Sequence, residues 1–357
     1  MIHLDERFSD PWPLAGTFTR ERIASSALRG NALGDPHERT AYVYTPPGYD
    51  ADPARRYPSI YFLHGYLGRV DGLWNWVGFQ PSVPQYIDQC FADPSTKPAI
   101  VVLVDAWTKI GGSQYLNSAA TGRYLDYLAD DVVSAIDERY RTIRDRDHRA
   151  LSGKSSGGYG AMVATILRPD VFGAFASHSG DCGFEQCYLH DVAACARALR
   201  EHYGGSWERF FDDFFSRPAR ILNATDPDHV LINIYAMAAA YSPEEDGSVS
   251  VPFDTQTLRF RDDIWRRWQQ LDPVRMVAKT LDVLQSLRGI WIDAGRNDDY
   301  YLDLGAQAIS SQLEAAGIVH HFELFDGSHA GVQHRYPLGF RYLAERLGPT
   351  STCAAVN

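Results

Sequence analysis

The sequence predicts an α/β protein with a mainly parallel, doubly wound sheet, and two patterns lead to this fold class. Short apolar segments of strand length recur along the chain, and segments with the three- and four-residue spacing of helices separate them. Residues 99–104, with the sequence AIVVLV, are typical of a parallel strand that is buried on both faces. Strands that alternate with helices pair in parallel, and the helices cover both faces of the sheet.

The elements are predicted in the following order. Residues 1–37 are expected to form an irregular lead-in, because they are polar and contain Pro11 and Pro13. Strands are predicted at 39–45, 58–65, 99–105, 149–151, 171–177, 289–295 and 320–325. Helices are predicted at 83–91, 124–140, 160–167, 304–316 and 333–347. Residues 348–357 are small and polar, so a frayed tail is expected there.

The alternation of strands and helices stops between residues 183 and 287. This stretch is rich in aromatic side chains and has no regular strand–helix pattern. We therefore expect a mostly helical cap inserted into a core that consists of residues 38–182 and 288–347. Most of the cap aromatics are expected to form the core of the cap, and the others to line an apolar or aromatic pocket.

Composition excludes several classes of partner. With a net charge of −11, the chain is not expected to bind nucleic acid or an anionic membrane. The longest apolar run, at 99–104, is far shorter than the roughly 20 residues that span a bilayer. The first residues do not resemble a signal peptide, and the five cysteines are loosely spaced, so a cytoplasmic location is expected. No cofactor or metal is expected, because neither His-x-x-x-His nor Cys-x-x-Cys occurs.

One short motif, Gly153-Lys154-Ser155-Ser156-Gly157, has the pattern Gly-x-Ser-x-Gly. A predicted strand precedes it and a predicted helix follows it, which is the context of a nucleophile elbow. A side chain at either glycine would collide with the neighbouring strand or helix, because the chain turns sharply there. The turn is expected to hold Ser155 in a strained backbone conformation that exposes its Oγ. The alternative is a flexible Gly/Ser loop between two elements.

A serine nucleophile needs a base, and the base needs a carboxylate to orient it. In this architecture the serine comes first along the chain, then the acid, then the histidine. His329 follows the last predicted strand and is the candidate base, although it could instead be a surface-loop histidine. Asp298 and Asp299 follow the preceding strand and are both candidates for the acid. Because they are adjacent, only one of them can point at His329.

Other groups at the carboxyl ends of the strands are expected to bind the substrate. The backbone N–H groups of Tyr66 and Ser156 are the candidate donors of an oxyanion hole. The candidate substrate-binding residues are His64, Gly65, Tyr115, Asn117 and Asp181. For Tyr115 and Asn117 the alternative role is loop packing, and for Asp181 it is capping the first helix of the cap.

These motifs together resemble the putative-esterase family of α/β-hydrolases, which includes S-formylglutathione hydrolases (esterase D), feruloyl esterases, enterochelin-type esterases and mycolyltransferases. The resemblance rests on YTPPGYD at 44–50, YFLHG at 61–65, RALSGKSSGGYGA at 149–161, GRND at 295–298 and DGSH at 326–329. It implies an α/β-hydrolase fold from about residue 39 to 347. It also implies Asp298 as the acid, because the acid of the family falls three residues after the glycine.

Two residues depart from the family pattern. Ser156 stands where the family often has methionine, and Lys154 stands where an apolar or small residue is more common. Lys154 is expected to extend toward solvent, and the alternative is that its charge favours an anionic group of the substrate.

The sequence therefore favours a serine hydrolase that cleaves small-molecule carboxylic esters through an acyl-enzyme intermediate. The alternatives are an acyltransferase with the same triad, a thioesterase resembling S-formylglutathione hydrolase, and a hydrolase-fold binding protein without catalysis. The complete Ser–Asp–His order speaks against the last of these. Neither the acyl and alcohol specificity nor the oligomeric state is predicted.

Overall fold

A computed structural model describes residues 13–75, 78, 80–217 and 227–348 of the chain. The strands are β1 (Thr17–Ala24), β2 (Glu38–Thr45), β3 (Ser59–Leu63), β4 (Ile100–Val104), β5 (Asn117–Ser118), β6 (Gly122–Arg123), β7 (Arg149–Lys154), β8 (Ala174–His178), β9 (Gly289–Gly295) and β10 (His321–Phe325). Strands β5 and β6 pair only with each other, and the other eight form one sheet.

The order of strands in the large sheet is β1-β2-β4-β3-β7-β8-β9-β10. Strand β2 is antiparallel to β1 and β4, and all the other neighbours are parallel. Leu63 of β3 pairs with Gly153 of β7, so the turn after β3 lies beside the turn after β7. The predicted mainly parallel sheet is confirmed.

The helices are α1 (Val83–Ala92), α2 (Tyr124–Asp126), α3 (Val133–Arg139), α4 (Ser156–Leu167), α5 (Phe184–Cys187), α6 (Leu189–Tyr203), α7 (Trp207–Ser216), α8 (Pro227–Tyr241), α9 (Asp262–Gln270), α10 (Pro273–Val277), α11 (Leu281–Gln285), α12 (Leu302–Ala315) and α13 (Tyr336–Leu347). A π-helical segment, Tyr127–Val132, joins α2 to α3.

Both faces of the sheet are buried under helices. Along β3, Ile60 and Phe62 point into one apolar cluster, and Tyr61 and Leu63 point into another on the opposite face, as the two-residue period of a strand requires. The first cluster includes side chains of α1 and α13, and the second includes side chains of α4 and α12. This two-sided cover explains why β3 and β4 are apolar at nearly every position.

The lead-in predicted as irregular contains a strand, and this prediction is wrong for residues 17–24. Strand β1 pairs with β2 in antiparallel register along its whole length, from Thr17 opposite Thr45 to Ala24 opposite Glu38. It is an edge strand, and of its eight side chains only Ile23 is buried. An exposed edge has a polar sequence with little apolar alternation, so its pattern does not reveal the strand. Residues 1–12 lie outside the described residues.

Within residues 183–287, the described part of the chain forms the helices α5 to α11. Their aromatic side chains mainly pack on one another: Trp207, for example, contacts Phe210, Phe211 and Tyr235 with ring centroids 4.9–6.3 Å apart. Trp268 is fully buried, and its indole N–H donates to Ser242 Oγ at 2.8 Å. Trp207 and Trp268 thus contribute to packing within the segment. Residues 218–226 lie outside the described residues.

Candidate active site

The turn between β7 and α4 holds Ser155 in a backbone conformation with φ 59° and ψ −128°. Positive φ is unusual for a residue with a side chain and indicates local strain. A Cβ atom on Gly153 would lie 2.4 Å from Gly157 O, and one on Gly157 would lie 2.0 Å from Leu63 O. Only glycine fits at these two positions, because the chain turns sharply between β7 and α4.

His329 lies between Ser155 and Asp298. Its Nε2 is 3.0 Å from Ser155 Oγ, and its Nδ1 is 2.9 Å from Asp298 Oδ2. His329 follows β10, and Asp298 follows β9, the neighbouring parallel strand. The order of the strands therefore brings together three side chains that are far apart in sequence.

The two adjacent aspartates contact His329 at different atoms. Asp298 accepts from the ring, whereas Asp299 Oδ2 accepts from the backbone N–H of His329 at 3.2 Å. The other oxygen of Asp298 accepts the backbone N–H of Tyr300 at 3.0 Å, which fixes the carboxylate plane. The ring of Tyr300 packs edge-on against that of His329, with centroids 4.8 Å apart. The geometry therefore favours Asp298 as the orienting carboxylate.

Asp298 is buried, yet its carboxyl stays acidic. Burial acts to raise the pKa of Asp298, but the hydrogen bond and charge of His329 outweigh it and hold the pKa below its ordinary value. The carboxylate is therefore ionised near neutral pH, as a group that stabilises an imidazolium must be.

Two backbone N–H groups near Ser155 have no acceptor among the described residues. One belongs to Ser156, the first residue of α4, and the other to Tyr66, in the turn after β3. The first N–H groups of a helix have no partner within the helix, and the N-terminal end of the helix dipole favours negative charge. Both residues border the same cavity as Ser155.

His64 lies beneath the turn that holds Tyr66 and does not border this cavity, so the structure does not support a substrate contact for His64. Its Nε2 accepts the backbone N–H of Ala106 at 3.0 Å, and its Nδ1 is 2.9 Å from Gly65 O. The first bond makes Nδ1 the protonated nitrogen. Burial lowers the pKa of His64 and so keeps the ring neutral. The ring thereby fixes the backbone of the turn, while Gly65 itself borders the cavity.

Tyr115 and Asn117 are also absent from the walls of the cavity, so the structure does not support a substrate contact for either of them. Tyr115 is buried against Gly160, and its hydroxyl donates to His64 O at 2.7 Å. Asn117 is exposed in β5, and its amide donates to Asp126 at 2.8 Å. Both therefore have the packing role that was the alternative for them. The loop turns them away from the site, which its local sequence does not reveal.

Asp181 borders the cavity and has an unusual environment. Its Oδ2 accepts from Gln114 Nε2 at 3.0 Å, Tyr188 OH at 3.0 Å and Ser156 Oγ at 3.1 Å, and its Oδ1 lies 3.5 Å from Ser155 Oγ. Burial raises the pKa of Asp181, although these donors and the nearby His329 oppose the shift. Gln114 and Tyr188 were not singled out in the sequence, because hydrogen-bonding partners of a buried carboxyl have no local signature.

Asp181 does not cap the first helix of the cap. That helix, α5, begins at Phe184, and Asp272 accepts the backbone N–H groups of Gly183 and Phe184 at 2.9 Å each. Asp272 comes from the loop before α10, almost 90 residues further along the chain. A carboxylate from elsewhere in the cap therefore takes the capping role.

The cavity beside Ser155 has a volume of about 240 Å³. The core and the segment 183–287 both contribute to its walls. The bordering residues are Gly65, Tyr66, Leu67, Lys154, Ser155, Ser156, Asp181, Tyr300, Leu302 and His329 from the core, and Cys187, Tyr188, His229 and Asn233 from the segment. Lys154, Tyr188, Asn233 and Tyr300 were not among the predicted site residues.

The described parts of the chain contain neither a metal-binding cluster nor a membrane-spanning helix. No group of three or more His, Cys, Asp or Glu side chains there could hold a metal ion. No helix of residues 13–75, 80–217 and 227–348 is long and apolar enough to cross a membrane.

Several solved structures share this architecture. A ferulic acid esterase superposes with a TM-score of 0.60 at 18% identity, with 94% of this chain and 100% of that chain covered. An S-formylglutathione hydrolase from Agrobacterium tumefaciens superposes with a TM-score of 0.55 at 14% identity, covering 96% and 99% of the two chains. A feruloyl esterase module from Clostridium thermocellum gives 0.54 at 13% identity, with 95% and 91% covered. The chain thus has the α/β-hydrolase fold.

A comparison of the sequence with protein families assigns the chain to one of them. Residues 31–338 match the family described as putative esterase, so the chain belongs to that family. An endo-1,4-beta-xylanase/feruloyl esterase of Xylanibacter ruminicola is 30% identical over 145 residues, which are 40% of this chain and 19% of the relative. An uncharacterised protein of Bacillus subtilis is 26% identical over 152 residues, 40% of this chain and 57% of the relative. These matches span less than two thirds of the length of each relative.

Proposed function

We propose that the chain hydrolyses small-molecule carboxylic esters through a serine triad and an acyl-enzyme intermediate. Ser155 is the nucleophile, His329 the general base and Asp298 the carboxylate that orients it. The observation that carries the proposal is the continuous series of contacts from Asp298 through His329 to Ser155 Oγ, with separations of 2.9 and 3.0 Å. These are hydrogen-bond distances, as general base catalysis requires.

The proposed reaction has two halves. His329 Nε2 takes the proton of Ser155 Oγ–H while the oxygen attacks the ester carbonyl, and the tetrahedral oxyanion accepts from the N–H groups of Tyr66 and Ser156. The imidazolium then gives its proton to the leaving alcohol, and an acyl-enzyme on Ser155 remains. In the second half water attacks the acyl carbonyl, with His329 again as base, and the carboxylic acid leaves.

We also propose that residues 183–287 act as a cap over the site. Support comes from Cys187, Tyr188, His229 and Asn233, which belong to this segment and border the cavity beside Ser155. The relatives named for feruloyl esters and S-formylglutathione suggest aryl esters and thioesters as the first compounds to test. No feature of the described residues favours an alcohol over water as the acyl acceptor.

The experiment that tests the proposal is replacement of Ser155 by alanine. S155A is expected to lower kcat for p-nitrophenyl acetate by about 10⁶-fold and to abolish labelling by a fluorophosphonate, because the proposed acyl-enzyme forms on Ser155 Oγ. Intact-protein mass spectrometry measures the labelling. S311A is the matched control, since Ser311 lies exposed on α12, and it is expected to keep both properties. Wild-type turnover or labelling in S155A would disprove the assignment.

A further inference from the structure

Lys154 is the last residue of β7 and directly precedes Ser155. It is half-buried and borders the cavity, so the expectation that it extends into solvent is wrong. Its ammonium lies close enough to Asp298, Asp181 and Asp299 for their charges to act on it. Burial nevertheless dominates and lowers the pKa of Lys154 from its ordinary value of 10.5. The Lys154 ammonium is therefore partly shielded from water, and it belongs to the residue next to Ser155.

The Lys154 ammonium forms no hydrogen bond or ion pair with any other described residue. The three nearby carboxylates have other donors. Asp298 accepts from His329 and Tyr300, Asp299 accepts from the backbone of His329, and Asp181 accepts from Gln114, Tyr188 and Ser156. These acids lower the cost of holding a cation in the cavity, but none of them is its direct partner. A partly desolvated cation in this state can gain a charge-assisted hydrogen bond from a bound anion.

Two more polar side chains border the same cavity without a partner among the described residues. The carboxamide of Asn233, on α8, belongs to a residue that is only 8% exposed. The second is the hydroxyl of Tyr300. This residue lies two positions after Asp298 in the sequence and is half-buried. A polar side chain that has no protein partner can hydrogen-bond a ligand without giving up an existing bond. Two such groups beside one cavity therefore point to a polar ligand group there.

The chemistry of these three groups points to the class of ligand. An ammonium can only donate, and a carboxamide and a phenol can both donate, so the partner that satisfies all three is a good acceptor. A carboxylate offers two acceptor oxygens and a charge opposite to that of Lys154. We propose that the preferred substrate is an ester that also carries a free carboxylate, with Lys154 as the specificity-determining residue and Asn233 as a second donor. This proposal rests on the proposed function, because it assigns a substrate class to the same site.

The test compares esters that differ in charge and little else. The p-nitrophenyl esters of glutarate and pentanoate have five-carbon acyl chains, and only the glutarate ester ends in a carboxylate. The second pair tests the alcohol half of the ester. 4-Acetoxybenzoate carries a carboxylate on its phenol part, and 4-methylphenyl acetate has a methyl group at the same position. The measured quantity is the ratio of kcat/KM for the anionic ester to that for the neutral one. A substitution that lowers kcat/KM equally for both esters leaves this ratio unchanged. S155A measures the rate of ester hydrolysis that does not depend on Ser155.

The wild type is expected to favour the anionic member of at least one pair. K154M is expected to lower that ratio by roughly 10–100-fold, because a charge-assisted hydrogen bond is lost, and K154R is expected to retain most of it. N233L is expected to lower the ratio by a smaller factor. K279M removes the same charge from an exposed position outside the cavity and is expected to leave the ratio unchanged. The pair that responds shows whether the carboxylate belongs to the acyl or the alcohol half.

The outcomes separate the two proposals. If the wild type hydrolyses the neutral esters but the ratio is the same in K154M and the wild type, the carboxylate site is refuted and the hydrolase assignment stands. If the wild type hydrolyses none of the esters and Ser155 is not labelled by a fluorophosphonate, both proposals fail. Labelling of Ser155 in each variant shows that it is folded. Should K154M not fold, an unchanged ratio in N233L overturns the proposal.

Discussion

His329 is held in place by two neighbouring aspartates that act on different atoms. Asp298 contacts the ring nitrogen Nδ1, and Asp299 accepts the backbone N–H. Only the first contact affects the tautomer and charge of the imidazole, because only it touches the ring. At the scale of single residues, two carboxylates that are adjacent in sequence should therefore differ greatly in their effect on catalysis.

We expect D298N to lower kcat by about 10⁴-fold, since an amide can donate to Nδ1 and so favour the tautomer that cannot accept the Ser155 proton. D299N should have a far smaller effect, because a carboxamide oxygen can still accept the backbone N–H of His329. Steady-state kinetics with p-nitrophenyl acetate measures both. A larger loss in D299N than in D298N would show that the acid has been assigned to the wrong residue.

At the scale of elements, the elbow depends on how closely β3, β7 and α4 approach one another. The turn after β3 presents Tyr66, and the start of α4 presents Ser156, so the distance between the two elements sets the spacing of the proposed oxyanion donors. Gly157 allows the approach, because a Cβ there would come within 2.0 Å of Leu63 O. The backbone of Gly157 does not itself require glycine, because its φ is not positive, so the requirement comes from the lack of space for a Cβ atom.

We therefore expect G157A to destabilise the fold by about 1–3 kcal/mol through overpacking, and to lower kcat because the end of β3 is displaced. Urea unfolding and ester hydrolysis measure the two effects. G72A is the matched control: a Cβ there has no neighbour closer than 3.9 Å, and its unfolding free energy should stay within about 0.5 kcal/mol of the wild type. Full stability and activity in G157A would contradict this account of the elbow.

At the scale of the whole molecule, a buried polar network joins the sheet below the active site. Asp293 of β9 is fully buried, with His178 Nδ1 of β8 at 2.8 Å, Trp291 Nε1 at 3.0 Å and Arg335 Nε at 3.1 Å. Arg335 also pairs with Glu323 of β10. The network thus connects three adjacent strands with the segment before α13. It also reaches the elbow, because His178 O accepts the backbone N–H of Ser155 at 3.0 Å.

We expect D293N to lower the free energy of unfolding by about 3–5 kcal/mol at pH 7, because it leaves a buried guanidinium and imidazole short of a charged partner. Burial acts to raise the pKa of Asp293, but the charge and hydrogen bond of His178 outweigh it, so the pKa is lowered in the folded state. The stabilisation is then present above the unfolded-state pKa of about 3.9 and is lost as the pH falls through the lower folded-state pKa.

Denaturant unfolding of D293N and wild type between pH 3 and 8 measures this difference. It should stay constant from pH 8 to about 5 and shrink below about 4. D326N is the matched control, because Asp326 is exposed in its contact with Arg296, and it should change stability little at any pH. If the difference grew as the pH fell, the pKa of Asp293 would have to be raised rather than lowered by folding.

The buried strands, the alternation of strands with helices and the elbow could be predicted, because each depends on a pattern within a short stretch of sequence. A run such as 100–104 is apolar since both faces of β4 are covered, and the glycines at 153 and 157 are required within one turn. The edge strand β1 could not be predicted in this way, because only one of its side chains is buried. The number of helices and their placement in 183–287 follow from packing between segments that have no repeating pattern.

The sequence by itself determined the type of sheet, the candidate nucleophile and base, and the pair of aspartates from which the acid comes. The resemblance to the esterase family already implied Asp298 rather than Asp299. Only the tertiary structure shows which of the two contacts the His329 ring, that His64, Tyr115 and Asn117 lie away from the cavity beside Ser155, and that Lys154 and Asn233 border it. The physical reason is that a side chain's direction and neighbours depend on contacts across the fold. Ser155 and His329, for instance, are 174 residues apart and meet only because the sheet aligns the ends of its strands.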